Sequence, residues 1–304
     1  MNARRLHLLA ILVLAGIALG GPLRADTRQD LESKLRSKYQ NHIVTLRNFY
    51  LGEKLNFDSD GKLIGTAELD SWTVASQMQV EKMRVLNDGV EFRGKRVFLS
   101  AGSNNHFRSL FPVGTGWNGP DAWLFEDTKE KNKSKQLAKL RDLTIHLRLE
   151  PGMINEGSVR ELIAKVILAP SEKLSSVVAP FWKGYLSTME NGKLVAVDAL
   201  NNASQGEKKN FKVGGGVSAP HPLQAPNPEY SEWARRAQLQ GTLVLGLIVD
   251  RNGEARDVKI LKPLGLGLDE KSVQVVSGWR FEPAMKDKQP VDVQIAVQVE
   301  FRLY

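Results

Sequence analysis

The chain has 304 residues, a formal net charge of +8, 42% hydrophobic and 25% charged residues, and no cysteine. That length supports two domains of ordinary size, and the composition is that of a folded chain, not a disordered or membrane-filling one. Without cysteine there are no disulfides, thiolate metal sites or thiol nucleophiles. The basic excess is interleaved with acidic residues and no nucleic-acid motif accompanies it, so no nucleic-acid partner is expected. The densest basic stretch, Lys129 to Lys135, reads as a hydrated loop or a helix start.

Residues 1–25 read as a targeting segment. Arg4 and Arg5 precede an apolar run from Leu6 to Leu19, closed by Gly20, Gly21 and Pro22. This is a charged n-region followed by a short h-region. The run is shorter than the roughly 20 residues of a comfortable span. Cleavage after Ala25 is the preferred reading and an uncleaved signal anchor the alternative; both place the folded part outside the cytoplasm.

Residues 26–205 read as one mixed, strand-rich domain. Thr27 and Asp30 suggest a capping box opening a helix from Arg28 to about Asn48, with Leu31, Leu35, His42, Ile43 and Leu46 as its apolar stripe. Lys54 to Phe57 and Leu63-Ile64 flank Asp58-Ser59-Asp60-Gly61, the pattern of a hairpin. Arg93-Gly94-Lys95 reads as a second turn, between Val90 to Phe92 and Arg96 to Leu99. Leu143, Ile145, Leu147 and Leu149 alternate with polar residues as a half-buried strand. Ser158 and Glu161 suggest a capping box for a helix from Val159 to Leu168. The apolar stretch Val177 to Trp182 completes a core.

Residues 206–229 are rich in Gly and Pro, including Gly214-Gly215-Gly216 and Pro220, Pro222, Pro226 and Pro228. They read as a linker. Residues 230–304 then tighten into alternating elements. Ser231 caps a short helix carrying Trp233, Ala234 and Ala237. Thr242 to Val249 is a strand, Asp250-Arg251-Asn252-Gly253 a turn, and Val258, Ile260 and Leu261 mark the returning strand. A helix begins at Leu268 with Asp269 as its cap. Val291, Val293, Ile295, Val297, Val299 and Phe301 alternate along a long last strand, and Trp279 and Phe281 read as core.

Tyr230, the Ala234–Ala237 helix, Gly241, Asp250, Gly253, Leu268-Asp269, Trp279-Arg280-Phe281-x-Pro283-Ala284 and the closing Val297-x-Val299-x-Phe301-x-Leu303 occur in the order found in TonB C-terminal domains. The ordered set over some 75 residues resembles that family, while the N-terminal region resembles those of acidobacterial proteins carrying the same domain. The resemblance implies an α+β fold, with a three-stranded antiparallel sheet packed by helices, preceded by a strand-rich α+β domain whose fold stays open. It also implies a non-enzymatic, cofactor-free envelope protein that binds periplasmic segments of outer-membrane TonB-dependent transporters by strand addition. The partner-binding residues it points to are Tyr230, Ser231, Val291, Val293, Ile295, Val297, Val299 and Phe301. An inner-membrane proton-driven motor and a homodimer remain open as further partners.

The chain departs from a standard transducer of that family: its N-terminal segment reads more as a cleavable signal than as an uncleaved anchor, and the anchor's serine–histidine spacing is not evident. A large folded region replaces most of the proline-rich spacer, and Ser231 replaces the proline that often follows the tyrosine. A periplasmic adaptor that kept only strand recognition is therefore the second reading. An enzyme is the third and weakest. His42, His106, His146 and His221 lack metal-ligand spacing, and no nucleotide loop, serine elbow or zinc-protease motif is present.

Overall fold

Period-two hydrophobicity organises the first half of the chain into a six-stranded sheet. A computed structural model describes residues 25–102, 106–110, 125–127, 141–190 and 210–303. The apolar N-terminal run, the basic stretch 129–135 and residues 201–209 lie outside the described residues. The sheet runs in the order β1 (Ile43–Thr45), β4 (Gln77–Leu86), β5 (Gly89–Val97), β9 (Asp142–Arg148), β2 (Lys54–Phe57) and β3 (Leu63–Ile64). All its pairings are antiparallel except β2 with β9. The alternating Leu143, Ile145 and Leu147 face inward with Met83, Val85, Val90 and Phe92. Two helices close this core: α1 (Ala25–Tyr39) through Leu31 and Leu35, and α3 (Glu156–Val166) through Val159, Leu162, Ile163 and Val166. The Asp58 hairpin forms as expected. Its carboxylate accepts the amides of Asp60 and Lys62, both at 2.9 Å, and Gly61 takes φ 76°.

Three local expectations are corrected here. The first helix stops at Tyr39 instead of reaching Asn48. Asn41 turns left-handed at φ 66° and the β-branched run Ile43-Val44-Thr45 pairs with Gln77–Gln79. The ladder suits branched side chains better than a helix does. Because the helix begins at Ala25, Thr27 and Asp30 lie inside it. Gly94 is not a turn: β5 runs through it, and the chain reverses at Asn87-Asp88. It sits opposite a bulge in β4, where a Cβ would fall 1.9 Å from the Gln79 carbonyl oxygen, so the glycine serves close backbone approach. The helix α3 starts earlier than Val159 because Asn155, not Ser158, is its cap, accepting the Ser158 amide at 3.0 Å.

The C-terminal sheet has the order β10 (Phe211–Lys212), β17 (Val293–Phe301), β12 (Gly241–Val249) and β13 (Ala255–Lys262). The expected three antiparallel strands are β17, β12 and β13; β10 adds to β17 in parallel. Helices α5 (Glu232–Arg236) and α6 (Leu268–Val276) share the core of this sheet, as do Trp279 and Phe281. Small ribbons complete it: β11 (His221–Gln224) with β14 (Arg280–Glu282), and β15 (Ala284–Lys286) with β16 (Gln289–Val291). The stretch read as a linker therefore supplies β10 and β11. Asp269 is not the cap of α6. That place belongs to Gly267 at φ 77°, and the buried Asp269 carboxylate accepts the amides of Leu264 and Gly265 at 2.9 and 2.6 Å.

The two halves meet along the loop 263–267. Between them lie a small sheet of β6 (Leu99–Ala101), β7 (Phe107–Ser109) and β8 (Phe125–Asp127), the single turn α2 (Trp72–Ala75), and α4 (Pro180–Glu190). Ala101 donates to the Leu264 carbonyl at 2.8 Å and Leu266 donates to that of Leu99 at 3.1 Å, so the loop pairs with β6. Gly267 donates to the Thr73 hydroxyl at 3.2 Å. The indoles of Trp182 and Trp233 reach across the seam to Glu270 and Asp70, each at 2.8 Å. Beneath them, Trp72, Phe107, Trp182 and Tyr185 make edge-on ring contacts continuous with the C-terminal core.

Two predictions follow from this seam. Gly265 adopts φ 92°, and a Cβ there would lie 2.4 Å from the Leu99 carbonyl oxygen. Gly265→Ala should cost at least about 2 kcal/mol in denaturant unfolding, and an unchanged midpoint would refute the tight pairing. Burial pushes both Asp269 and Glu270 above the ordinary carboxylate range, and the Asp269 charge pushes Glu270 further. A carboxyl raised in the folded state binds protons more tightly folded than unfolded. Its contribution is complete below the ordinary range and is lost as pH rises through the folded value. Stability should therefore fall between about pH 4 and about pH 8, the folded values being about 6 for Asp269 and about 8 for Glu270, and Glu270→Gln should remove roughly 1–2 kcal/mol of that fall. Parallel pH–stability curves for the two proteins would contradict this.

Candidate edge-binding site

Among the described residues, strand β17 has a full partner on one side only. Gly241 to Val249 of β12 lie opposite Phe301 to Val293 in unbroken register. On the other side, β10 covers only Val293 and Gln294. The Phe211 amide donates to the Asp292 carbonyl at 3.0 Å, so the backbone groups of Asp292 face outward. In a strand the direction alternates by residue. Gln294, Ala296, Gln298 and Glu300 therefore direct their N–H and C=O groups outward, while those of Ile295, Val297 and Val299 point into the ladder with β12. Among the described residues, no strand pairs with the outward groups of Ala296, Gln298 and Glu300. On the far side of the sheet, β13 has α4 packed against it.

The side chains singled out from the sequence divide into several environments. Val293, Val299 and Phe301 are buried in the core, and Ile295 and Val297 are half-buried against it. Val291 belongs to β16, opposite Ala284. Tyr230 stands at the Phe301 end of the edge, with its ring edge-on to Phe301 at 5.1 Å and its hydroxyl donating to the Leu239 carbonyl at 3.2 Å. Burial pushes that hydroxyl up from its ordinary value. Ser231 is buried beside it. It accepts the Ala234 amide at 3.0 Å as the cap of α5 and donates to the Leu266 carbonyl. Its hydroxyl thus ties α5 to the seam loop.

Sequence reasoning missed the residues of the opposite parity, Gln294, Ala296, Gln298 and Glu300, whose backbone forms the rim. Their parity was visible, but it is the β12 register that turns their backbone outward. It also missed a cleft of about 580 Å³ between the halves, with Leu51, Leu69 and Trp233 as apolar walls and Asp70, Glu232 and Glu270 as carboxylates. Leu69, at 69% exposure, has no core role. Among the described residues, no three His, Cys, Asp or Glu side chains gather as a metal site. No helix there is long and apolar enough to cross a membrane.

Comparison with known proteins finds similarity over one part of the chain. Residues 226–303 match the family described as Gram-negative bacterial TonB protein C-terminal. Over 82 residues the chain is 32% identical to the protein TonB2 of Pseudomonas aeruginosa, covering 27% of this chain and 30% of that relative. The chain thus spans less than a third of the relative's length. The solution structure of the Pseudomonas aeruginosa TonB C-terminal domain aligns over 30% of this chain and 89% of its own, at 21% identity and a TM-score of 0.24. Residues 226–303 form a TonB-type C-terminal domain.

Proposed function

We propose that the protein works in the cell envelope as a TonB-type binding component. Its C-terminal sheet takes up an extended periplasmic segment of an outer-membrane TonB-dependent transporter along β17. The observation that carries this reading is the open edge at Ala296, Gln298 and Glu300, next to the Tyr230–Phe301 contact. Strand addition draws affinity from backbone hydrogen bonds and selectivity from neighbouring side chains. The work is binding, not catalysis: the buried Ser231 hydroxyl is held in cap and loop hydrogen bonds. Coupling to an inner-membrane proton-driven motor belongs to the same reading.

One observation favours a second reading, in which the protein is a non-transducing periplasmic adaptor. A domain on a free spacer needs no partner inside its own chain. Here the module is docked on the N-terminal half through the β6 pairing and two indole hydrogen bonds. Such a module presents its edge in a set orientation.

The test uses the whole chain, because the C-terminal core continues into the N-terminal half. Synthetic peptides covering the N-terminal segments of outer-membrane transporters of the same organism are titrated and followed by calorimetry. Gln298→Pro removes an outward donor, which an edge strand tolerates. It should leave the circular dichroism spectrum unchanged and weaken binding at least about tenfold, that is by about 1.4 kcal/mol. Val297→Pro instead removes a donor to β12 and should unfold the sheet. A folded Gln298→Pro protein with unaltered affinity would sink the edge assignment. Export is tested separately: mature protein from the envelope fraction should begin at Asp26 by mass spectrometry, whereas an intact N-terminus means a signal anchor.

A further inference from the structure

The open edge of β17 is shortened by the chain itself, and how it is shortened bears on the partner it admits. Strand β10 contributes two residues, opposite Val293 and Gln294, at the end of β17 away from Tyr230. The Phe211 amide donates to the carbonyl of Asp292, the residue before β17, at 3.0 Å. The Phe211 ring lies under the Lys286 ammonium, 4.5 Å from nitrogen to ring centre. Phe211 is only half-buried and Lys212 is exposed. Phe211 packs against the margin of the C-terminal core, and this one half-buried ring is the apolar burial in β10 that opposes its release.

The stretch that follows is anchored much better. Val217 is buried at 7% exposure, and it exchanges backbone hydrogen bonds with Gly214 at 3.0 and 3.1 Å. Ser218 donates its amide to the Met285 carbonyl at 2.9 Å and accepts the Met285 amide on its hydroxyl at 2.8 Å. Between this anchor and β10 lie Gly214, Gly215 and Gly216, at φ 105°, 58° and 87°. A Cβ at any of the three would meet no atom within 4 Å. These glycines are therefore required by their backbone angles alone. Three consecutive glycines can also change those angles at little cost, so β10 can leave β17 while Val217 and Ser218 stay in place.

We propose that β10 is an internal competitor for the β17 edge, hinged at Gly214–Gly216 and displaced when an extended partner segment pairs along the full strand. The proposal rests on the strand-addition reading and specifies its regulation. A segment lying along Ala296 to Glu300 pairs without meeting β10. A segment that continues to Gln294 requires the backbone groups that β10 uses and replaces it there. The site thus selects for length: a long partner strand gains the extra hydrogen bonds only by opposing the closed form of β10, and a short one leaves β10 closed. Closure of β10 reduces the apparent affinity for a long segment to the intrinsic affinity multiplied by the fraction of molecules whose edge is free.

The absence of cysteine from the chain allows a direct test. Lys212 and Gln294 are register partners, and neighbouring strands lie about 4.8 Å apart, within disulfide reach. In the full chain carrying Lys212→Cys and Gln294→Cys, oxidation ties β10 to the edge. The probes are the transporter peptides above, each in a short form and in a form long enough to cover Gln294 to Glu300. The oxidised protein should bind the long form at least about tenfold more weakly than the same protein under reductant, and the short form equally in both states. Phe211→Pro removes the donor to Asp292 and should bind the long form about fivefold more tightly than the unaltered chain, the effect of roughly one hydrogen bond. This second variant decides the matter if the cysteine pair does not oxidise. Equal affinities for the long form in the tied, reduced and Phe211→Pro proteins overturn the competition while leaving edge binding in place. No binding by any folded form overturns the strand-addition reading and the competition with it.

Discussion

The pairing of the loop 263–267 with β6 is the constraint on which the rest of the architecture depends. A loop leaving a strand and entering a helix has backbone groups that must be satisfied once buried. Here the Asp269 carboxylate takes the Leu264 and Gly265 amides, while the Leu264 carbonyl and the Leu266 amide pair with Ala101 and Leu99. One buried side chain thus holds the loop in the shape that lets two separately patterned halves share backbone hydrogen bonds. The Ser231 hydroxyl, bonded to the Leu266 carbonyl, extends this arrangement to α5. Tyr230, the next residue, is thereby placed against Phe301 at the end of the open edge.

This arrangement connects the stability of the seam to the display of the edge. The sheet presents β17 outward because α4 and the aromatic cluster around Trp182 occupy the side of β13. A module held this way differs from one at the end of a free spacer, since movement of the N-terminal half carries the edge with it. The carboxyls at the seam are buried together, so each disfavours ionisation of its neighbour. Glu270 nevertheless accepts the Trp182 indole hydrogen. The polar contact fixes the geometry of the seam at an electrostatic cost that grows as the pair ionises.

Much of the local structure was legible in the sequence because it depends on short-range rules. The alternation at Leu143 to Leu149 becomes β9, the Asp58 turn becomes a hairpin, and Ser231 caps its helix. Each error has a physical origin. At Ile43 to Thr45 a helical stripe yielded to pairing with β4, at Gly94 a turn signal marked close contact with another strand, and at Asp269 a capping residue was used by a loop. At Asp269 the partners, Leu264 and Gly265, lie only five and four residues away; in the other two cases a partner distant in sequence supplied the deciding hydrogen bond or steric contact. No window of neighbouring residues contains that information. The same holds for β10, whose glycine-rich surroundings read as a linker although Phe211 finds a backbone partner at Asp292.

The sequence by itself determined the domain family, the alternating core face of the last strand, and the helix bearing Tyr230 and Ser231 at its start. These follow from side-chain periodicity and local backbone preference, which are properties of neighbouring residues. Only the tertiary structure decided that the unpaired rim of the last strand is the backbone of Ala296, Gln298 and Glu300, that β10 occupies its far end, and that the whole module is docked on the first half. Whether a strand edge is open depends on what else in the chain reaches it. In this protein that is settled by contacts between residues roughly 80 or more positions apart and by the burial of charged groups where the halves meet.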